Sequence, residues 1–128
     1  LNGLIKPASA RTTIHDHGRS FTVYGVITGA EKVVRYAVRD AVPLAGAAES
    51  GLLARAQVDL TEEHDVGPGH IDYILPWAVH AEVNGGASTA AMILRSQRSG
   101  TFVQNIFDAT SGAVEQYHGP RQISYALG

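Results

Sequence analysis

Glycine and proline recur at short intervals along the whole chain, and this spacing limits how long any regular element can be. The 128 residues include 14 Gly and 5 Pro. Between them lie short runs in which Ala, Val, Ile and Thr alternate with polar residues, a pattern typical of strands buried on one face. We therefore expect about ten short strands, no long helix, and an all-β domain folded as a small β-barrel or jelly roll.

Two pairs of neighbouring runs predict hairpins. Residues 21–28 and 31–39 alternate on either side of a Gly-Ala turn, and residues 101–107 and 113–117 flank a polar loop. We expect each pair to form adjacent antiparallel strands. The most apolar run, 88–96, is predicted to be a central strand.

The remaining segments give weaker patterns. The Ala-rich stretch 40–51 is predicted to be a mobile excursion, with a short helix as the alternative. The acidic stretch 61–65 is predicted to be a solvated turn. The end of the chain carries Pro120 and a last apolar piece, 123–127.

Composition narrows the class of protein. The 10 Lys and Arg residues against 12 Asp and Glu give a net charge of −2, and no basic run suggests a nucleic-acid partner. No segment resembles a membrane span or a signal sequence, so we expect a cytoplasmic protein without a membrane partner. The length suits a single domain over residues 1–128, and the start at Leu1 rather than Met leaves room for a preceding N-terminal segment.

The stretch His15-Asp16-His17-Gly18 carries the strongest chemical pattern. Side chains at positions i and i+2 of a strand leave the same face, so His15 and His17 can meet one ion while Asp16 points away. His80, on a later predicted strand, is the best placed third ligand. Because the chain has no Cys, a bound metal must use His, carboxylate or water. These residues predict a metal site formed by three His.

The strand that carries His80 also carries an acidic residue. The period of two places Glu82 on the same face as His80, where it is a candidate fourth ligand or general base. If the strand bends after His80, Glu82 is solvated instead. Glu82 is therefore a candidate catalytic residue with a structural alternative.

The two His-bearing segments resemble the two sequence motifs of the cupin superfamily, whose fold is the double-stranded β-helix. His15, His17 and Gly29 fit the first motif, although the position of the cupin Glu ligand falls at residues 21–22 and is not acidic. The second motif is matched in order by Gly69, Pro76, His80 and Asn84. The resemblance implies a single cupin domain with the metal inside a jelly-roll barrel.

Within the cupins, the missing Glu and the run 24–31 after His-Asp-His-Gly resemble the cysteine dioxygenase family of thiol dioxygenases. Residues 107–112 are similar to that family's closing turn. The resemblance implies Fe(II) held by His15, His17 and His80 without a carboxylate. Zn, Ni and Mn stay open as alternatives, because imidazole alone does not choose among divalent metals.

The same resemblance directs attention to the strand after Asn84. Where that family has a Ser-x-His-x-Tyr row, this chain has Arg95 and Gln97 in the His and Tyr positions. Arg95 is a candidate catalytic residue that binds an anionic substrate if it points into the barrel, with a surface salt bridge as the alternative. Further candidates for the substrate pocket, each with ordinary core packing as the alternative, are Tyr24, Tyr73, Trp77 and Met92.

These residues predict a mononuclear non-haem iron dioxygenase that oxidises a small metal-chelating molecule, such as a thiol, with O₂. The alternative enzyme is an isomerase, lyase or hydrolase that uses a divalent metal as Lewis acid and Glu82 as base. A third alternative is a non-catalytic module that binds a small molecule. The family resemblance also implies a homodimer.

Overall fold

The computed structural model describes residues 1–119, which form ten β-strands. They are β1 (Asn2–Lys6), β2 (Ile14–His15), β3 (Thr22–Thr28), β4 (Glu31–Pro43), β5 (Leu53–Val66), β6 (Ile71–Ile74), β7 (Val79–Asn84), β8 (Thr89–Arg95), β9 (Gln104–Phe107) and β10 (Val114–Tyr117). No helix in this part of the chain is long and apolar enough to cross a membrane. The apolar piece at 123–127 lies outside the described residues.

The strands form two sheets that face each other. The four-stranded sheet has the order β1-β8-β3-β6, and the six-stranded sheet has the order β10-β9-β2-β7-β4-β5. The core between the sheets contains residues from both, namely Tyr24, Val26, Val33, Val66, Ala91 and Ile93. The prediction of an all-β jelly roll is confirmed.

The six-stranded sheet curls until its ends meet. A bridge between Arg55 on β5 and Ala113, next to β10, joins its first and last strands. A second apolar cluster of Ala56, Val79, Phe107 and Val114 fills the inside of this curl. The curl buries the β2 and β7 backbone on which the histidines lie.

One predicted hairpin is wrong. Strand β3 pairs with β6 and β8, whereas β4 pairs with β5 and β7, so the turn at Gly29 carries the chain from one sheet to the other. Tyr24 and Val26 on β3 and Val33 on β4 all face the core. The two strands therefore pack face to face across the barrel, and alternation alone cannot distinguish this arrangement from edge pairing.

One predicted loop is wrong, and another is shorter than predicted, because only residues 44–51 of the Ala-rich stretch lie between strands. Strand β4 continues to Pro43, and β5 includes all of residues 61–65. In this long hairpin Lys32 lies opposite Asp65, and Lys32 Nζ donates a hydrogen bond of 3.2 Å to Glu63 Oε2. The acidic residues stay solvated, as expected, but they lie on a paired strand.

Two other predictions are confirmed. Strands β9 and β10 form an antiparallel hairpin, and β8 lies between β1 and β3 inside its sheet. Both depended on apolar runs bounded by Gly-containing turns, where the local pattern and the tertiary pairing agree.

Candidate metal centre

Two neighbouring strands bring the three predicted histidines together. His15 on β2 lies directly opposite His80 on β7, and His17 follows two residues after the end of the β2 pairing. His17 and His80 are buried, and His15 is partly buried. The ring centroids are 5.1 Å apart for His15 and His17, 4.4 Å for His15 and His80, and 4.8 Å for His17 and His80.

The nitrogen atoms of these rings converge on one point. One ligand atom from each His lies within 4.8 Å of those of the other two, and His15 Nε2 lies 3.2 Å from His17 Nε2. The three side chains could therefore hold one metal ion from one side. A three-His set leaves other coordination positions open for a small molecule.

Backbone carbonyls fix the tautomers of two rings. His15 Nδ1 lies 2.9 Å from the Thr13 carbonyl oxygen, and His80 Nδ1 lies 3.2 Å from that of Ala78. A carbonyl oxygen only accepts, so each Nδ1 carries a proton. In the neutral rings, both Nε2 atoms then direct a lone pair into the barrel.

The third ring has an adaptable partner. His17 Nδ1 lies 2.9 Å from Thr22 Oγ1, and a hydroxyl can either donate or accept. In the metal-free protein, His17 Nε2 can donate to His15 Nε2 while Thr22 donates to His17 Nδ1. For His17 Nε2 to serve as a metal ligand, the ring proton would lie on Nδ1, which would donate a hydrogen bond to Thr22 Oγ1.

The surroundings keep the rings of His15 and His17 neutral. Burial, and then the charge of His80, lower the pKa of His15 to about 4 and that of His17 to about 2. His80 Nε2 is buried and has no hydrogen-bond partner in the described part of the chain. A buried nitrogen without a partner is costly, and a metal ion would satisfy it. The donor set therefore fits a divalent metal.

A buried carboxylate holds the His-x-His segment in place. Asp16 Oδ1 accepts hydrogen bonds from Gly18 N at 2.8 Å and Asn105 N at 3.0 Å, and Asp16 Oδ2 accepts one from Asn105 Nδ2 at 2.7 Å. Burial raises the pKa of Asp16, although these donors oppose the rise. Asp16 points away from the histidines, as predicted, and fixes their loop to β9.

The residue after the second His has no room for a side chain, so it must be glycine. Gly18 has a φ of +53°, and a Cβ added there would lie 2.2 Å from the Val103 carbonyl oxygen. Any larger residue would displace the loop that carries His17.

Glu82 lies beside the site rather than in solvent. It is 7% exposed, and its Oε1 lies 3.4 Å from His80 Nε2. Burial raises the pKa of Glu82, but the contact with His80 and the charges of His80, His15 and Lys6 lower it well below its usual value. An ionised carboxylate and a nitrogen lone pair are both electron-rich and repel each other. A proton or a metal ion between Glu82 Oε1 and His80 Nε2 would turn this contact into an attraction. The strand does not bend after His80, so the solvated alternative is wrong.

A buried lysine that the sequence analysis did not single out lies behind Glu82. Lys6 Nζ forms a 2.7 Å salt bridge with Glu31 Oε2 and lies 4.0 Å from Glu82 Oε2. Thr89 Oγ1 donates to the other oxygen of Glu31 at 2.5 Å. Lysine is rarely buried, so nothing in the local pattern of β1 predicted this position.

A cavity of about 200 Å³ opens beside His15, His17 and Glu82. Leu4, Ile74 and Ile93 form its apolar wall, and Thr12, Tyr24 and Arg95 contribute polar atoms. The hydroxyl of Tyr24 and the Nε of Arg95 are buried without hydrogen-bond partners among residues 1–119. Burial lowers the pKa of Arg95 and, with the nearby Glu31 carboxylate, raises that of Tyr24. Tyr24 and Arg95 therefore line the cavity, and Tyr24 also belongs to the core between the sheets.

Four other predicted pocket residues lie elsewhere. Tyr73 and Met92 are 60% and 38% exposed, because the strand period places them on the outer face of the four-stranded sheet. The ring of Trp77 packs over Gly51, where an added Cβ would lie 2.4 Å from it. Gln97 lines a separate surface cavity with Arg98 and Ser99. Their assignment to the substrate pocket is corrected.

The sequence analysis did not name Thr22 as a site residue, although the alternation of β3 places it on the inner face. It alternates with Tyr24 along β3, and both are buried on the inner face. The period of two that placed Tyr24 inside the barrel also places Thr22 there. Its hydrogen bond to His17 depends on tertiary structure and could not be read from the sequence.

Comparison with known proteins identifies the fold. No family model and no curated protein matches the sequence. Among solved structures, a sugar phosphate isomerase of the cupin superfamily from Silicibacter pomeroyi matches with a TM-score of 0.55 and 12% identity, over 91% of this chain and 64% of that one. Since identity is so low, the likeness establishes the fold alone. The chain has the cupin fold.

Two further structures match less closely in shape. CapF, a capsular polysaccharide assembling protein from Staphylococcus aureus, matches with a TM-score of 0.50 and 13% identity, over 88% of this chain and 26% of that one. Peruvianin-I, a cysteine peptidase from Thevetia peruviana latex, matches with a TM-score of 0.50 and 15% identity, over 73% of this chain and 46% of that one. The chain spans less than two thirds of the length of each of these three proteins.

The role of Thr22 as partner of His17 gives a prediction. Thr22→Val keeps the shape but removes the hydroxyl, and we expect it to weaken Zn(II) binding roughly 10- to 100-fold, as loss of a hydrogen bond to a metal ligand does. Thr22→Ser, which keeps the hydroxyl, should bind almost as tightly as the unmodified protein. Competition titration with a chromogenic chelator measures both, and equal affinity in Thr22→Val would contradict the assignment.

The lowered pKa values of His15 and His17 predict acid destabilisation of the metal-free protein. The unfolded chain takes up protons on these residues below pH 6.5, whereas the folded chain takes them up only near pH 4 and below. The free energy of unfolding should therefore fall between pH 6.5 and 4, by up to about 1.4 kcal/mol per pH unit for each His. Urea denaturation with EDTA at several pH values measures this slope. His15→Gln should reduce the slope by one residue's share, and an unchanged slope would contradict the prediction.

Proposed function

We propose that the chain is a mononuclear non-haem metal dioxygenase of the cysteine dioxygenase type. The observation that carries the proposal is the convergence of His15, His17 and His80, the first two of which line a small cavity. Three neutral imidazoles leave the full charge of a divalent metal uncompensated and keep positions open for a substrate donor and O₂. Fe(II) is the metal we propose, on the family resemblance of the His-Asp-His-Gly segment.

The cavity supports a small substrate. A volume of about 200 Å³ is below the range of 300–1,000 Å³ typical of pockets for larger ligands. Leu4, Ile74 and Ile93 give it one apolar wall. A short molecule that places one end at the metal and an aliphatic part on this wall fits these limits.

The positive charge of Arg95 in the cavity wall supports an anionic group on that substrate. Arg95 Nε is buried without a partner in the described residues, and Arg95 Nη1 makes only a long contact of 3.4 Å to Ser99 Oγ. A carboxylate would satisfy a guanidinium in two parallel hydrogen bonds. We infer a thiol carboxylate as the substrate class, with sulfur toward the metal and the carboxylate toward Arg95.

Measurement of metal content and oxygen uptake tests this proposal. Protein purified without added metal is analysed for metals, reconstituted with Fe(II), and assayed for O₂ consumption with small thiol carboxylates. The expected result is about one iron per chain and thiol-dependent O₂ uptake. Binding of iron without O₂ uptake for any thiol, diketone or catechol-like chelator would contradict the proposal.

Arg95→Met tests the proposed anion contact. Loss of a charge-assisted pair should lower kcat/KM for the thiol carboxylate roughly 100-fold, mainly through KM. The methyl ester of the same thiol should be affected far less. Arg98→Met serves as the matched control, since exposed Arg98 lies three residues after Arg95, just beyond β8, but does not line this cavity. Equal losses for acid and ester would contradict a carboxylate contact.

Glu82 supports a second candidate function, an isomerase, lyase or hydrolase in which Zn, Ni or Mn acts as Lewis acid. Its carboxylate is ionised, buried and adjacent to His80, which suits a general base. This candidate predicts turnover without O₂ that is lost in Glu82→Gln while metal content is kept. If Glu82→Gln instead loses the metal, Glu82 is a fourth ligand. O₂-dependent turnover retained in Glu82→Gln would contradict the second candidate.

A further inference from the structure

Three buried charged residues lie together beside the candidate metal centre. They are Lys6 on β1, Glu31 on β4 and Glu82 on β7, which are 8%, 2% and 7% exposed. Lys6 and Glu31 take no part in the function proposed above. A buried ion pair adds little stability over apolar residues of similar size, so its presence here points to a role at the neighbouring site.

The ammonium group of Lys6 has a fixed position. Lys6 lies opposite Thr89 in the pairing of β1 with β8, and Asn84 Nδ2 donates a hydrogen bond of 3.1 Å to the Lys6 carbonyl oxygen. At the end of the side chain, Nζ lies 2.7 Å from Glu31 Oε2 and 5.2 Å from the centre of the Tyr24 ring. Backbone pairing and side-chain contacts therefore hold Nζ in one place.

The charge of Lys6 acts on Glu82 as well as on Glu31. Glu31 accepts from Lys6 with Oε2 and from Thr89 Oγ1, at 2.5 Å, with Oε1. An ammonium has three N–H donors, and Glu31 is the one hydrogen-bond acceptor of Lys6 Nζ among residues 1–119. The next carboxylate is that of Glu82, whose Oε2 lies 4.0 Å from Nζ. Lys6 therefore attracts a second carboxylate, which lies on its metal-centre side.

Glu82 lies between Lys6 and His80. Its Oε1 is 3.4 Å from His80 Nε2, and its Oε2 is 4.0 Å from Lys6 Nζ. Thr12 fixes its backbone, because Thr12 Oγ1 accepts from Glu82 N at 2.9 Å and Thr12 N donates to Glu82 O at 3.0 Å. With the backbone fixed, rotation of the side chain decides whether a Glu82 oxygen reaches a metal or stays beside Lys6.

A small movement of the Glu82 side chain would bring it to the metal. Nitrogen and oxygen ligands lie about 2.0–2.2 Å from an ion such as Zn(II), so two neighbouring ligand atoms are roughly 3 Å apart. The 3.4 Å between Glu82 Oε1 and His80 Nε2 is only slightly longer. A metal ion beside His80 would attract the carboxylate, and the charge of Lys6 attracts it from the opposite side.

We propose that Lys6 is a positioning residue that keeps Glu82 from binding the metal. Its ammonium holds the Glu82 carboxylate away from the three histidines, so the metal keeps one more open position and a higher net charge. Without this ammonium, Glu82 becomes the fourth protein ligand. The inference rests on the metal centre of the proposed function, but it does not depend on O₂ or on a thiol substrate.

The visible absorption spectrum of the Co(II)-loaded protein tests the proposal, because its bands depend on the number and kind of ligands. Lys6→Met removes the charge and keeps an unbranched side chain. We expect it to change the Co(II) spectrum and to bind Co(II) at least about 10-fold more tightly, since an added carboxylate ligand raises affinity. The double variant Lys6→Met with Glu82→Gln should restore the spectrum of the unmodified protein.

Lys32→Met is the matched control. Lys32 is exposed, forms its ion pair with Glu63 and does not line the cavity. Its loss removes the same charge from the chain, but no carboxylate near the histidines is released. The Co(II) spectrum of Lys32→Met should therefore match that of the unmodified protein.

Two further variants keep the test independent of the stability of Lys6→Met, which leaves the buried Glu31 carboxylate without its partner. Lys6→Met with Glu31→Gln removes both charges of the pair and should show the same spectral change. Glu82→Gln alone, in a chain that keeps Lys6, should leave the Co(II) spectrum unchanged, because Glu82 is not a ligand there. Circular dichroism shows that each variant is folded.

Three outcomes would overturn the proposal. A changed Co(II) spectrum in Glu82→Gln would show that Glu82 is already a ligand in the presence of Lys6. An unchanged spectrum in folded Lys6→Met with Glu31→Gln, even with tighter binding, would show that Lys6 acts on the metal only through space. In both cases the metal centre stands. Failure of the folded, unmodified protein to bind Co(II) would instead overturn the metal centre and the proposed function with it.

Discussion

The arrangement of this protein's interior depends on three imidazole nitrogens that are held close together in a buried space. Carbonyl groups of Thr13 and Ala78 fix the protons on the far side of two rings, so the facing nitrogens of His15 and His80 present lone pairs. Lone pairs and a buried carboxylate repel one another unless a cation lies among them. A hydrogen bond between His17 Nε2 and His15 Nε2 relieves part of this repulsion in the metal-free protein, and a divalent metal would satisfy all three rings at once.

The scaffold around the site explains how a short strand can hold it. Strand β2 has only two residues, and His17 lies beyond it, yet Asp16 ties the segment to Asn105 through three hydrogen bonds, two accepted by its carboxylate and one donated by its backbone N–H. Asn105 Nδ2 also donates to Gly51 O, and Leu53 N donates to Asn105 Oδ1. Asp16 therefore holds the segment in place, and the rings of His15 and His17 stay free to bind a ligand.

Much of the site could be predicted from the sequence because it depends on local geometry. The i, i+2 spacing of His15 and His17 and the shared face of His80 and Glu82 follow from strand period alone. Lys6 and the hydrogen bond of Thr22 could not be predicted, since they depend on which strands meet across the barrel. The wrong hairpin at Gly29 has the same cause, because alternation shows which face is buried but not which strand is the neighbour. Tyr73 and Met92 were assigned to the pocket by residue type, and their strand positions place them on the opposite face.

The central claim is that one metal binds to three imidazoles drawn from β2, its following turn and β7. X-ray absorption spectroscopy of Zn(II)-loaded protein tests it most directly, because outer-shell scattering from imidazole rings counts the histidine ligands. The account predicts three imidazoles per metal with Zn–N distances of about 2.0–2.1 Å, falling to two in His80→Ala. A spectrum with one or no imidazole, or one that is unchanged in His80→Ala, would contradict it.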